Sequence, residues 1–410
     1  MSGPYSGIRI IDLSTMLSGP WATSILGDQG ADVIKVELPG KGDHVRSLGN
    51  QRAGMSAMFL NINRNKRSIT VDLKKPEGRQ VVLDLARDAD VVVQNFRPGV
   101  VERLGVGYDD VAQVNPRAIY LSLSGFGEKG PWSGKPVYDP VIQAVSGLTT
   151  IQAGSDAERP RLVRTVLPDK LSAVAAAQAV GAALFHRERT GEGQHVRMSM
   201  LDAMLSFLWA SDMGGQTYPD AEVKRNDAAS FIDLIYRTKD GYITVSTMSD
   251  KEWLAFCRAM SRPDLAEDPR FSSPARRDEN VNQRLETIQS CLEPRTTEEN
   301  LALLEAEGVP CAPALTRSEV IRHPQVEAME SVVEHEHHAA GPLRQARVPA
   351  RFAQSPAVHR RGAPRLGEHC VEVLREVGYS GERLEGLRRS GIVGFEHDAH
   401  LLEDLESRAV

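Results

Sequence analysis

The chain has 410 residues, with 49 Lys and Arg against 55 Asp and Glu for a formal charge of −6 at pH 7. That length exceeds what one core ordinarily organises and implies two domains, or one large domain carrying an insertion. The acidic balance, with no basic stripe interleaved with aromatics, argues against nucleic acid as a partner.

Cys257, Cys291, Cys311 and Cys370 lie far apart and form no CxxC pair, so neither a zinc knuckle nor a disulfide framework is expected. The N-terminus lacks a basic stretch followed by an apolar core. Leu171–Phe185, the longest apolar run, is too short and too rich in alanine to span a bilayer. The expectation is a cytoplasmic protein without a membrane partner.

In chain order, Ile8–Leu13 reads as a strand, Pro20–Asp28 as a short helix with Gly30 beyond its end, and Asp32–Leu38 as the next strand. Strands follow at Ser68–Leu73, Asp90–Asn95 and Ala118–Ser124, with Pro76 starting the helix between the first two. This alternation predicts parallel βαβ units and a Rossmann-like half. Asp169 follows Pro168 and opens a small-residue helix, Lys170–Arg189. A carboxylate there is either a helix cap or a nucleophile, and local sequence leaves both open.

Asp212–Asp220 is rich in turn formers and reads as a linker. Phe231–Tyr236 and Tyr242–Thr247 flank Lys239-Asp240-Gly241 as a hairpin, and amphipathic helices are predicted at Asp250–Met260, Asn280–Leu292 and Thr297–Glu307. Gly308–Pro313 breaks the pattern, extended chain resumes near Ser331, and helices close the sequence at Leu366–Val377 and Gly381–Arg389.

Glu37 stands where a dinucleotide fold keeps its ribose-binding acid. The loop Ser14–Pro20 has one glycine where the pyrophosphate fingerprint needs three, so NAD is rejected and Glu37 reads as a polar strand end. Ser18, Gly19 and Pro20 instead offer small side chains and free amides at the carboxyl edge of a parallel sheet. Asn95–Gly99 and Arg103 add an amide, an aromatic ring and two guanidinium groups able to hold phosphates and stack on a base. His335 and His337 share a strand face, but no third ligand is evident, so the run reads as a solvated edge hairpin and no metal is assigned. The acidic stretch Glu396–Glu406 reads as a surface or partner-chain contact.

Leu17–Pro20, Gly30–Glu37, Asn65–Ser68, Asn95–Gly99, Tyr138-Asp139, Asp169, Gly193-Gln194, Gly308–Pro310 and Leu366–His369, in that order and spacing, resemble the class III coenzyme A transferases over nearly the whole chain. That group includes the formyl-CoA and carnitine CoA-transferases.

The resemblance implies a Rossmann-like large domain (1–210), a linker (211–228), an inserted small α+β domain (229–328), a return linker (329–350) and a C-terminal segment (351–410) that completes the large domain. It also implies a ring-shaped chain in an interlocked homodimer. The implied activity moves CoA from an acyl-CoA to a carboxylic acid, with Asp169 as nucleophile and no permanently bound cofactor. Implied CoA contacts are Leu17, Ser18, Val71, Asp72, Leu73, Lys74, Asn95, Phe96, Arg97, Arg103, Lys135, Tyr138 and Asp139.

The field of the helix start is expected to keep Asp169 ionised. Oxyanion donors are expected among the amides near Leu17 and Ser18 or Thr247–Ser249. Arg103 also fits a helix C-terminal cation, Tyr138 ordinary core, and Asp139 a cap for the helix beginning at Pro140. Trp132, Trp209, Trp253 and Met248 are pocket candidates that packing would equally explain.

Two departures bear on substrate: Leu38 replaces a basic residue, and Val245–Asp250 replaces a run of glycines. Formyl-CoA and oxalate therefore do not carry over. The alternatives are an α-methylacyl-CoA racemase, whose His-Asp pair is here Tyr138-Asp139, and a catalytically silent CoA-binding scaffold.

Overall fold

A computed structural model describes residues 3–219 and 233–394. The chain divides into two compact units, Met1–Ala229 with Val332–Val410, and Ser230–Ser331. The predicted acidic stretch Glu396–Glu406 lies outside the described residues, as do Phe231, Ile232 and residues 220–228 of the predicted linker.

The larger unit is built on six parallel strands, β1 (Arg9–Asp12), β2 (Asp32–Glu37), β3 (Lys66–Thr70), β4 (Val91–Gln94), β5 (Ile119–Ser124) and β6 (Gln194–Ser199). Their order is β3-β2-β1-β4-β5-β6. The order reverses between β1 and β4, where Ile10 pairs with Val33 on one side and Val91 on the other. Chains leaving the carboxyl ends of such neighbours diverge and open a crevice, the usual ligand position in this architecture.

Side-chain alternation sends the strands' apolar residues to both faces. Ile11, Ile34, Ile69, Val92 and Tyr120 enter one core, while Ile10, Val33, Val91, Val93, Ile119 and Leu121 enter the other. Each buried aliphatic side chain contributes about 1.5–3 kcal/mol. The second face is covered by α1 (Ser18–Asp28) and by α5 (Leu167–Thr190). Ala173, Ala176, Ala177 and Ala183 on α5 are small enough to let the helices approach closely.

The first face is covered by α2 (Pro76–Ala86) and by the C-terminal segment, through Cys370, Val371, Leu374, Leu384 and Ile392. That segment also bonds to the β3 side of the sheet: His369 N donates to Ser68 O at 2.9 Å, Asp72 N to Ile392 O at 2.8 Å, and Gly394 N to Thr70 Oγ1 at 2.8 Å. An edge strand is thereby closed to pairing with another chain.

The observed elements depart from the sequence reading in several places. Strand β3 ends at Thr70 because the Asp72 carboxylate accepts Lys74 N at 3.0 Å and turns the chain. The C-terminal helix begins at Cys370, since Gly367 has φ +67° and belongs to the preceding turn. Strand β6 was not predicted, although Val196 and Met198 alternate with His195 and Arg197 as in a half-buried strand.

The second unit carries a three-stranded antiparallel sheet in the order Cys311–Pro313, Tyr242–Val245, Ile235–Arg237. The break predicted at Gly308–Pro313 is thus partly a strand. Helices Asp250–Ala259, Val281–Leu292 and Thr297–Ala306 pack around Phe256, Phe271, Ile288, Leu292 and Leu304. Trp253 is 1% exposed within that core and is a packing residue, not a pocket wall.

Val332–His337 and Gly341–Ala346 form the histidine hairpin. It is not wholly solvated: His337 is buried, its Nδ1 accepting Ala339 N and Ala340 N at 3.0 Å and its Nε2 facing Ala363 O at 2.9 Å. Burial lowers its pKa, consistent with a neutral ring. Among the described residues, no three His, Cys, Asp or Glu side chains are grouped to hold a metal, and no helix is long and apolar enough to cross a membrane.

Candidate active site

The loop between β1 and α1 rests on buried charges. Asp12 ends β1 and accepts Ser14 N at 3.0 Å, the Ser14 hydroxyl, Thr23 Oγ1 at 2.7 Å and Lys66 Nζ at 2.9 Å. Burial alone would raise its carboxyl pKa. Lys66 and Lys35 outweigh that effect and hold it at about 2. Lys66 also donates to Pro20 O at 2.7 Å and Asn63 Oδ1 at 2.9 Å, whereas burial pulls its own pKa down to about 8. The two directions conflict. With an acceptor for each of its three ammonium protons, Lys66 is read as charged and the pair as an ion pair.

Beside this pair, Lys35 Nζ donates to Ser14 O and to Asp43 Oδ2, both at 2.9 Å. Asp43 Oδ1 accepts Met16 N and Val45 N at 3.1 Å. Asn95 binds the loop's other side, with Oδ1 accepting Thr15 N at 2.8 Å and Nδ2 donating to Thr15 O at 2.7 Å. Met16, so held, has φ +68°. A non-glycine residue there stores about 1–3 kcal/mol of strain.

Glu37 is more than a polar strand end. It is buried and accepts Arg46 Nε at 2.8 Å, Asp43 N at 2.9 Å and Ser68 Oγ at 2.7 Å. Burial opposes its ionisation, but Arg46 lowers its pKa on balance.

Past this loop, Leu17 is the N-cap of α1 and supplies no side-chain cap, so the first-turn amides point outward uncapped. A Cβ on Gly19 would fall 2.4 Å from Ser14 Cβ, so only glycine lets the helix start close onto the loop. Asp169 is the third residue of α5, whose N-cap is Val166. It is therefore not the cap that its place after Pro168 suggested. Its amide donates to Asp139 Oδ2 at 3.1 Å, and Asp139 Oδ1 accepts Gln143 Nε2 at 2.6 Å. Asp139 is the first residue of α4 (Asp139–Val145) and, rather than capping its own helix, binds the start of α5.

Burial pushes the Asp169 carboxyl up to about 6 and the charge of Asp139 adds to the rise, against a hydrogen bond from the Ser18 hydroxyl. The expected dominance of the helix-start field is overturned by desolvation. Asp169 remains mostly ionised at pH 7 but is more basic than a surface carboxylate. Burial raises Asp139 as well. Replacing Asp139 by Asn removes a like charge from Asp169, so the acid limb of the pH–rate profile is expected to move below pH 6. An unmoved limb would count against this coupling.

A cavity of about 260 Å³ opens over Asp169. Its walls bring together the sequence-predicted Ser18, Asn95, Phe96, Arg97, Lys135, Tyr138 and Asp169. Leu17 is buried behind Ser18 against Val45 and Phe59. Tyr138 is 68% exposed and so is not core. Lys135 holds its ammonium over the Trp132 ring at 3.9 Å. Asp139 is 3% exposed and reaches Asp169 only through the backbone amide.

Val71, Asp72, Leu73 and Lys74 follow β3 and are outside the cavity wall. Arg103 is likewise outside it, in the last turn of α3 (Val100–Leu104). The sequence reading missed Thr15, Met16, Ser124, Gly125, Val137 and Met200, which are also in the wall. Ser124-Gly125 lies where the predicted strand ends, so the carboxyl-edge rule carried the signal. A Cβ on Gly125 would fall 2.2 Å from Val137 Cγ1, which is why the return of that loop needs glycine.

A larger cavity of about 510 Å³ lies across Phe96 and Pro98, lined by Tyr108, Ser122, His195 and Arg197 among others. Size favours it. Chemistry favours the smaller one, which holds the perturbed carboxylate beside a helix start.

Ser249 is removed from the oxyanion candidates, because its amide donates to Glu252 Oε2 at 2.8 Å in a capping box.

The sequence model of CoA-transferase family III matches residues 5–370. An acyl-CoA transferase of Fusarium pseudograminearum is 36% identical over 413 residues, covering 95% of this chain and 88% of that protein. Human succinyl-CoA:glutarate CoA-transferase is 34% identical, covering 97% and 91%. The crystal structure of Rv3272 from Mycobacterium tuberculosis matches with a TM-score of 0.79 at 34% identity, over 90% of this chain and 99% of that one. The chain belongs to CoA-transferase family III. It is an enzyme that moves coenzyme A from an acyl-CoA to a carboxylic acid.

Proposed function

We propose that transfer proceeds through covalent attachment to Asp169. A carboxylate oxygen of Asp169 attacks the donor thioester carbonyl, the C–S bond breaks, and a mixed anhydride forms as CoA thiolate leaves. The thiolate then attacks the aspartyl carbonyl of that anhydride, releasing the donor acid and leaving an aspartyl-CoA thioester. The acceptor carboxylate attacks that thioester and expels CoA thiolate once more. Attack of the thiolate on the acceptor's acyl carbon completes the exchange and frees the Asp169 carboxylate.

The observation that carries this reading is the placement of a partly buried Asp169 in the cavity wall with Ser18 of the uncapped start of α1, where burial raises its basicity. A more basic carboxylate is the better nucleophile. Amides of Leu17 and Ser18 are the proposed donors to the oxyanion. Arg97 and Lys135, with Lys74 and Arg103 further along the same sheet edge, are proposed to bind the CoA phosphates. Phe96 and Tyr138 are proposed to pack on its pantetheine arm or base. CoA is a substrate here, not a resident cofactor.

The test is peptide mass spectrometry after incubation with acyl-CoA donors and hydroxylamine, which turns an activated carboxylate into a stable hydroxamate. Succinyl-CoA is the first donor to try and glutarate the first acceptor, since the human relative is named for both. Donor-dependent hydroxamate on Asp169 is expected. Turnover without it would overturn the covalent route in favour of direct transfer or proton exchange.

The domain borders 1–210, 229–328 and 351–410, the Rossmann-like description of the large domain, the cytoplasmic location and the interlocked homodimer belong to the same proposal. Support for the dimer comes from apolar side chains left outward in the described chain. Phe185 on α5 is 65% exposed, and Val174, Phe207 and Trp209 are exposed too. Single-protomer mass in light scattering would remove it.

A further inference from the structure

Two buried charges near the site, Lys35 and Asp43, line no part of its cavity, yet both end on the loop that carries Ser18. Lys35 and Glu37 lie two residues apart on β2 and so share a face of the sheet. Glu37, itself fixed by Arg46 and Ser68, accepts Asp43 N and sets where Asp43 sits. Gly40 and Gly42, at φ +71° and +65°, make the turn that returns Asp43 to β2. One ion pair then holds the chain that leads into the strained residue: Lys35 holds Ser14 O, and Asp43 holds Met16 N. Without such a grip, a methionine would leave the left-handed region, and Leu17 and Ser18 would turn with it.

We propose that Asp43, anchored by Lys35, is a positioning residue for transfer. It keeps Met16 left-handed and thereby aims the Ser18 hydroxyl and the first amides of α1 at Asp169. The proposal rests on Asp169 being the nucleophile. Asp43 itself meets neither substrate nor reacting atoms, so its effect falls on kcat and not on CoA affinity.

Asn at position 43 tests this with little change in volume. Its single carbonyl oxygen has to serve either Lys35 or the Met16 and Val45 amides, where the carboxylate serves both. We expect Asp43→Asn to lower kcat at least about tenfold while CoA affinity by calorimetry changes less than about threefold. Met16→Gly supplies the rescue, because glycine adopts φ > 0 without strain. In that background, Asp43→Asn is expected to cost less than about threefold in kcat. An equal penalty in both backgrounds overturns the proposal and leaves Asp43 a structural residue.

If circular dichroism shows Asp43→Asn unfolded, Met16→Val tests the loop without touching the ion pair. A β-branched residue resists the left-handed region, so a folded variant with CoA affinity kept and kcat down about tenfold supports the proposal. Wild-type kcat in that variant overturns it. Hydroxylamine trapping on the wild type separates the two readings. Turnover without an Asp169 hydroxamate removes the nucleophile and this proposal together, whereas a trapped hydroxamate with equal kcat penalties removes this proposal alone.

Discussion

Asp169→Ala is expected to lower CoA transfer by at least about three orders of magnitude while leaving CoA affinity within about threefold. The argument is one of place. Asp169 is in the wall of the cavity, and behind it Asp139 and the helix start are already hydrogen-bonded to each other. No neighbouring carboxylate reaches its position, since Asp139 is 3% exposed and faces the Asp169 amide. Transfer at wild-type rate by Asp169→Ala would end the covalent mechanism.

A second readout follows from charge. The folded-state pKa of about 6 is above the ordinary carboxylate value of 3.8. Such a group favours folding below pH 4 and loses that advantage as pH rises through 6, because the ionised form is the one burial penalises. Asp169→Asn, neutral throughout, is therefore expected to be more stable than wild type at pH 8, by about 1–3 kcal/mol. The difference should shrink toward zero as pH falls below 4. A variant that is less stable at pH 8 would mean the carboxylate is held by its surroundings and not strained by them.

Lys66→Met is expected to cost about 3–5 kcal/mol of stability. The reason is what remains behind: Asp12, fully buried, keeps its hydroxyl and amide donors but loses the cation bonded to it. The cost should depend on pH with a definite sign. Asp12 has a folded pKa of about 2, below the ordinary carboxylate value of 3.8, so the stability it contributes is present above pH 3.8 and is lost as pH falls through 2. Adding Asp12→Asn to Lys66→Met should recover part of the loss, because the stranded charge is then gone. The comparison uses urea midpoints of the transition that exposes the larger unit. A double variant no better than Lys66→Met would place the cost in packing instead of charge.

The strands that build the site were legible because their patterns are local. Ile8–Leu13 and Asp32–Leu38 contain apolar runs of strand length bounded by turn formers, and the observed β1 and β2 fall within them. Asp169 was legible through its place in an ordered set of short motifs. Its electrostatics were not: the helix start predicts an acidic carboxyl, and burial in the folded chain, with the charge of Asp139 beside it, reverses that. Nor could Lys35, Glu37 and Lys66 be recognised as buried, because a charged residue in a strand reads as its solvent face. Their partners lie 8, 9 and 54 residues away along the chain. Strand β6 was missed for a similar reason, since His195 owes its place to stacking on Tyr108 at 4.6 Å.

The seam between β3 and the C-terminal segment has a consequence for synthesis. Thr70 bonds to Gly394 across 324 residues of sequence. At ordinary elongation rates that separation corresponds to roughly fifteen seconds to a minute on the ribosome. Throughout that interval the second unit is made in full, while Ile69 and Val71 of the larger unit still lack their covering segment. The nascent chain therefore carries an open sheet edge beside an uncovered apolar face, the kind of surface that chaperones shield. Loss of a few residues near Gly394 should act on folding yield before it acts on catalysis.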